Sequence, residues 1–308
     1  MKKRFKLDVL GQYYAGTINE QHSGAFSITV HLKEKLNHQV LKQALNTLVE
    51  RFPFLSGHLQ SNFFEYVYEI SNDPLPLIPI ENSDHTNHQI MRVLYGKFHF
   101  VVVVSHLLCD GRTLAKISRL LLIRYFEILG IYAGEIDTLE KSRCPEELED
   151  AYLRFTNSKI KKTNRDQLGS DATGLAYHPP TSKKSLVQTL TYPLSASLVK
   201  ASAKAHEITV SGFLLALIFK SIAVERAAFK CEEPIIASIP IDCRSFFPSK
   251  TMRNFVSSQN ITMPEVADFT TMIKQLQIAF SKIDEHSVYE EISSYQKMFH
   301  TLGFYHEN

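Results

Sequence analysis

Phe98-His-Phe-Val-Val-Val-Val-Ser-His-Leu-Leu-Cys-Asp-Gly111 is the stretch on which the fold is decided. Its run Phe100 to Val104 is short, β-branched and almost uninterrupted, the pattern of a strand buried on both faces. From Arg112 to Leu129 the period changes to helical. Leu114, Ile117, Leu121 and Ile128 share one face, and Gly130 is a stop signal. His106 and Asp110 therefore sit four residues apart at a strand-to-helix junction, where a rigid scaffold can present polar side chains.

Working outward, residues 23–32 alternate as a half-buried strand through Phe26, Ile28, Val30 and Leu32. Asn37 caps a helix with Val40, Leu41, Ala44, Leu45, Leu48 and Val49 on one side, and Pro53 ends it. Phe63 to Ile70 alternates as a strand, and proline-rich Leu75 to Ile80 suits a sheet edge. Gln89 to Leu94 and the strand into His106 form a hairpin turning at 95–97. From Gly134 to Ser185 apolar residues thin out, with one helix expected over Pro145 to Phe155. A second α/β unit follows: a strand Leu186 to Tyr192, then a Ser195-capped helix to Ala205. A helix from Ser211 to Phe229 is apolar nearly all round and so expected to be buried. An inner strand Pro234 to Ile241, a strand from Asn254 towards Ile261 and a helix Asp268 to Ile283 complete it, before a polar tail. The expected division is 1–133, a linker 134–185, and 186–308.

The 308 residues suffice for two ordinary domains or one large one and carry a net charge of only +2, without a basic block, so no nucleic-acid partner is expected. No apolar h-region follows the basic start Met1-Lys-Lys-Arg-Phe-Lys6, so no signal peptide is expected, nor is any run long enough to span a membrane. Cys109, Cys144, Cys231 and Cys243 lack Cys-x-x-Cys spacing and read as reduced thiols of a cytoplasmic protein.

The His106-x-x-x-Asp110-Gly111 segment after a Val-rich strand resembles the acyltransferase superfamily of chloramphenicol acetyltransferase, alcohol acetyltransferases and nonribosomal peptide condensation domains. Other segments resemble it in the right order: Leu45-Asn-Thr-Leu-Val-Glu-Arg-Phe-Pro-Phe-Leu55, Ile208 to Ala216, Pro240-Ile-Asp-Cys-Arg244 and Asn254-Phe-Val256. The resemblance implies an α/β fold of α+β type. It would consist of two chloramphenicol-acetyltransferase-like helix-on-mixed-sheet subdomains with the active site at their interface. It implies transfer of an acyl group from acyl-coenzyme A, or from an acyl carrier protein thioester, to a hydroxyl or amine, with no tightly bound cofactor.

His106 is the candidate general base, because imidazole titrates near neutrality; the alternative is a core histidine satisfied by backbone. Asp110 can be read as an orienting partner for His106 or as a helix N-cap. The resemblance implies the latter kind of role, with a carboxylate paired to Arg244, bidentate geometry being open to it. Gly111 would allow a tight turn. Cys109 reads as a buried small hydrophobe, and His99 points to the opposite sheet face from His106, which excludes a shared metal site. Lys183, Lys184 and Lys204 are candidates for a coenzyme phosphate, with a solvated surface as the alternative.

Three features depart from the pattern. Ser105 replaces the first histidine of many condensation domains, the chain has no Trp and no Asp-Phe-Gly-Trp-Gly signature, and nothing after Ile283 corresponds to the superfamily's C-terminal portion. The 186–308 subdomain therefore reads as incomplete. A homo-oligomer would compensate for this, and the alternative function is a non-catalytic relative acting as a binding module.

Overall fold

The computed structural model describes residues 4–18, 24–61, 66–82, 90–131, 144–156, 176–178, 190–263 and 268–301. It divides into two compact units, each discontinuous in sequence. One comprises Met1–Arg165, Asp242–Val256 and Ile292–Asn308, the other Asp166–Ile241 and Ser257–Glu291.

In the first unit β1 (Arg4–Lys6) precedes α1 (Val9–Thr17), β2 (Ala25–His31) and α2 (His38–Arg51). Asn37 caps α2 by accepting from the Gln39 and Val40 amides. Strands β3 (Gly57–Ser61), β4 (Tyr66–Ile70), β5 (Leu77–Pro79), β6 (Met91–Tyr95) and β7 (His99–Ser105) lead to α3 (Gly111–Ile128). A mixed sheet has the order β2-β7-β6-β5, antiparallel except for the parallel β5–β6 edge, and a second sheet has the order β1-β4-β3. Phe100, Val102 and Val104 on one face of central β7 are fully buried, while Val101 on the other is only partly so, which corrects the expectation of burial on both faces. Phe100, Val102 and Val104 belong to one core with Leu41, Leu45 and Leu48 of α2 and Leu114, Ile117 and Leu121 of α3. The proline-rich stretch supplies the edge strand, where a missing donor does no harm.

The expected helix over 145–155 is two pieces, a 3₁₀ turn Pro145–Leu148 and α4 (Ala151–Phe155). Asp150 separates them because its carboxylate caps the second piece at the Leu153 amide. The segment 242–256 packs with the first unit, not with the C-terminal half to which the sequence division assigned it. The Tyr152 hydroxyl donates to the Val256 carbonyl at 2.6 Å, Thr251 Oγ1 to the Glu149 carbonyl at 2.8 Å, and Arg253 Nη2 to the Lys6 carbonyl at 2.8 Å.

The second unit contains α5 (Ala196–Ala205), α6 (Val210–Ala228), β8 (Ile235–Asp242), β9 (Val256–Met263) and α7 (Phe269–Ser281). Its core gathers Phe219, Ile235, Ile261, Met272 and Leu276. Three expectations are corrected here. Residues 190–192 form no strand, and 186–189 lie outside the described residues. Leu217, Ile218 and Val224 of α6 are exposed, because among the described residues two strands and two helices are too few to cover a helix apolar on every side. β8 pairs with β9 alone among the described residues, so the inner-strand expectation is not met there.

The polar tail carries a helix, α8 (Glu285–Thr301), whose buried Val288, Ile292 and Gln296 recur every four residues on one face. Among the described residues no single helix is long and apolar enough to cross a membrane; α5 and α6 pass such a test only together, across an 87° bend.

Replacing Leu114 by Ala at the α2–α3–sheet contact should destabilise the protein by about 2–5 kcal/mol, read as a lowered midpoint in denaturant unfolding.

Candidate active site

Asp110 ends the extended stretch after β7 and begins α3. Its Oδ1 accepts from the Thr113 amide at 3.1 Å, which makes it the N-cap. Oδ2 accepts from Arg244 Nη1 at 2.7 Å and from the Phe255 amide at 3.0 Å. Both side chains are buried, at 1% and 5% exposure. The pair is therefore single-pronged, not bidentate, because capping occupies the other oxygen. Arg244 uses its remaining donors on Asp242 Oδ1 (3.0 Å), the Thr251 carbonyl (3.1 and 2.9 Å) and the Arg253 carbonyl (2.7 Å). Burial works against the guanidinium charge, but Asp110 and Asp242 outweigh it and hold its pKa above the usual value.

His106 occupies the turn between β7 and α3, and its amide donates to the Gly24 carbonyl at 2.8 Å. Gly24 has φ +57°, a conformation that favours glycine. The His106 ring lies between two aromatic rings. Phe26 of β2 stacks at a centroid distance of 3.9 Å and 20° between planes, and Tyr14 of α1 at 4.8 Å and 17°. Helix α1 reaches this close because residue 11 is glycine: a Cβ there would stand 2.7 Å from the Leu107 carbonyl oxygen. Burial pushes the imidazole below its usual range, while Asp110, the Asn254 side chain and the Cys109 backbone pull it partly back.

Asn254 is the residue that sequence reasoning named only as part of a motif. Its Nδ2 donates to the His106 carbonyl at 2.8 Å and lies 3.4 Å from Asp8 Oδ1. Asn254 Oδ1 and His106 Nδ1 are both buried without a hydrogen-bond partner. Asp8 caps α1 through the Gly11 amide at 2.8 Å and faces Arg253 Nε at 3.4 Å. Burial lifts the Asp8 carboxyl to about 6 against the pull of Arg253. These contacts tie the chain at 8–11, 106–110 and 242–255 into one polar cluster.

Asp110 makes no hydrogen bond to the His106 ring, so the orienting-partner reading of Asp110 lacks support. Gly111 is the first residue of α3, its φ is not positive, and a Cβ would meet nothing within 4 Å. The backbone therefore does not require glycine there. Cys109 is fully buried and burial pushes its thiol up. Lys183 and Lys184 lie outside the described residues, and Lys204 is exposed in the second unit. His99 rings with His31 across the β2–β7 pair, and among the described residues no three His, Cys, Asp or Glu side chains gather to hold a metal.

No protein-family model matches the sequence, and no match is found among curated proteins. Solved structures do match. Polyketide synthase associated protein 5 from Mycobacterium tuberculosis is 14% identical, with a TM-score of 0.64 over 94% of this chain and 74% of that one. The first condensation domain of the calcium-dependent antibiotic synthetase, in complex with a substrate analogue, is 14% identical at 0.60, over 94% and 78%. The chain carries the condensation-domain fold. A third structure with this fold, F. sporotrichioides TRI101 complexed with coenzyme A and T-2, is 13% identical at 0.61, over 97% and 78%. At these identities the likeness is one of condensation-domain fold alone.

Replacing Arg244 by Met removes the partner of a buried carboxylate and of two backbone carbonyls. The expected loss is about 3–5 kcal/mol of unfolding free energy, nearly unchanged by added salt because the pair is screened from solvent.

Proposed function

We propose that the protein is an acyltransferase in which His106 is the general base. The donor is an acyl thioester of coenzyme A or of a carrier protein, and the acceptor a small-molecule alcohol or amine. The observation that carries this reading is a partly buried imidazole clamped between Phe26 and Tyr14, on a turn fixed by Asn254 and by the Asp110–Arg244 pair. The coenzyme A bound to one structure of this fold, and the substrate analogue bound to another, support the substrate class.

The chemistry needs an unprotonated nitrogen held in a defined direction. Burial between two rings favours the neutral imidazole. The Asn254 side chain and the Cys109 backbone both favour a proton on the ring, and an Nδ1–H turned towards either leaves the Nε2 lone pair as the base. Nε2 takes the proton of the acceptor hydroxyl or amine as its oxygen or nitrogen bonds to the thioester carbonyl carbon. The tetrahedral intermediate then collapses, the C–S bond breaks, and the proton passes from His106 to the departing thiolate. Asp110, Gly111 and Arg244 take no part in proton transfer. Asp110 and Arg244 hold the turn, while Gly111 leaves open space at its end.

Free-thiol release from acetyl-, octanoyl- and palmitoyl-coenzyme A against a panel of alcohols and amines tests the reading. Release should require an acceptor, fall at least about a hundredfold in His106→Ala, and decline with acid at a midpoint below the ordinary histidine value of 6.5. Acceptor-dependent release that survives in folded His106→Ala protein would contradict it. Folded native protein inert to every coenzyme A and carrier-linked donor would favour the binding-module alternative.

A further inference from the structure

Where α3 begins, the first unit holds a cavity of about 280 Å³ lined by Arg112, Thr113 and Lys116 of α3, by Arg244, by Glu147 and by residues 249–252. Arg112 and Lys116 stand one turn apart on the helix, with Thr113 next to them on the same side. The Met252 amide donates to the Glu147 carbonyl at 2.8 Å, which ties the docked segment to the 3₁₀ turn Pro145–Leu148. The lining thus comes from three stretches that the fold already holds together.

Its charge is one-sided. Arg112, Lys116, Arg244 and Lys250 set four cations against the one carboxylate of Glu147. Both Glu147 oxygens are already taken, by Arg51 Nη1 at 2.9 Å and Nη2 at 2.7 Å. Outside the lining, Asp242 meets Arg112 at 2.5 Å and Glu146 meets Lys250 at 2.9 Å. Arg112 and Lys250 are well exposed, so these pairs are weak and free to exchange partners. Arg244 contributes charge alone, because all its N–H groups are spent on Asp110, Asp242 and the Thr251 and Arg253 carbonyls.

Two groups are left over. Lys116 is exposed and has no ion-pair partner among the described residues. Thr113 is 3% exposed and its amide serves Asp110, yet its hydroxyl has no hydrogen-bond partner among the described residues. Buried hydroxyls ordinarily have one, and this residue lines the cavity beside the unpaired ammonium.

We propose that this cavity binds a small phosphate-bearing anion, inorganic phosphate or a phosphomonoester. The inference stands apart from the acyl-transfer reading and calls for no contact with His106. Four cations around so small a space favour a dianion over a single carboxylate, and a tetrahedral phosphate offers oxygens to several donors at once. Lys116 and Thr113 donate to it directly, Arg112 and Lys250 share it with their present partners, and the positive end of the α3 dipole adds to the field. A volume just under the usual range of small-molecule sites suits such an anion.

Titration calorimetry and thermal unfolding with sodium phosphate and glycerol 2-phosphate test this, at fixed ionic strength with sodium chloride as the control. The proteins are native, Thr113→Val, Lys116→Gln and, as a control, Lys42→Gln, an exposed lysine of α2 outside the cavity. Native protein should bind phosphate saturably and unfold at a higher temperature than in chloride. Lys116→Gln should weaken binding by roughly threefold to fivefold, the scale of an exposed charge pair. Thr113→Val, which removes a hydroxyl without a protein partner, should weaken it about tenfold and leave the melting of the unliganded protein unchanged. Lys42→Gln should change neither. Tighter binding of the ester than of phosphate would mark the ligand as a phosphomonoester and the reverse as the free ion, and each upholds the site. No saturable binding to native protein, or binding indifferent to both Thr113→Val and Lys116→Gln, overturns it.

Discussion

The Asp110 carboxylate is the constraint on which the first unit depends. One oxygen starts α3 and the other receives Arg244 and the Phe255 amide, so helix initiation and the docking of 242–256 share one group. A buried carboxylate is tolerated only when paired and hydrogen-bonded throughout. Here every lone pair direction that matters is used, and Arg244 spends its other donors on backbone carbonyls of the same docked segment. The segment arrives with Arg253 and Asn254, which engage Asp8 and the His106 carbonyl. Sequence neighbours of Arg244 thereby become spatial neighbours of the turn at 106–110.

This arrangement explains the separation of labour around His106. The charged groups lie behind the turn, in the polar cluster, while the imidazole faces Phe26 and Tyr14. Desolvation by the rings lowers the proton affinity of the imidazole more than the carboxylate behind it raises it. An imidazole in such a place favours its neutral form and is held between two rings, the combination that the proposed proton abstraction requires.

Much of this was legible in the sequence because it is local. The β7–α3 junction, the Asn37, Asp110 and Ser195 caps, the proline-rich edge strand and the apolar faces of α2 and α3 follow from period and capping chemistry alone. The Asp110–Arg244 contact came from resemblance, since no local rule joins residues so distant in sequence. What stayed hidden is tertiary. Asn254 looks like any turn asparagine until the Asp8 and His106 carbonyl contacts form. The Phe26–His106–Tyr14 stack needs α1 brought close by Gly11, which a pattern reading does not supply. α8 escaped because its buried face is thin and includes Gln296, so its polar composition masked the four-residue spacing. The exposed face of α6 shows the opposite failure, apolar composition without enough neighbouring elements among the described residues to cover it.

The central claim is that His106 is a neutral imidazole carrying its proton on Nδ1, with Nε2 free. Nitrogen-15 NMR of histidine-labelled protein across pH measures this directly, with His106→Ala assigning the signal. The account predicts a pKa below 6.5 and, above it, the Nδ1–H tautomer. A His106 signal that titrates above 6.5, or a neutral form protonated on Nε2, would contradict it.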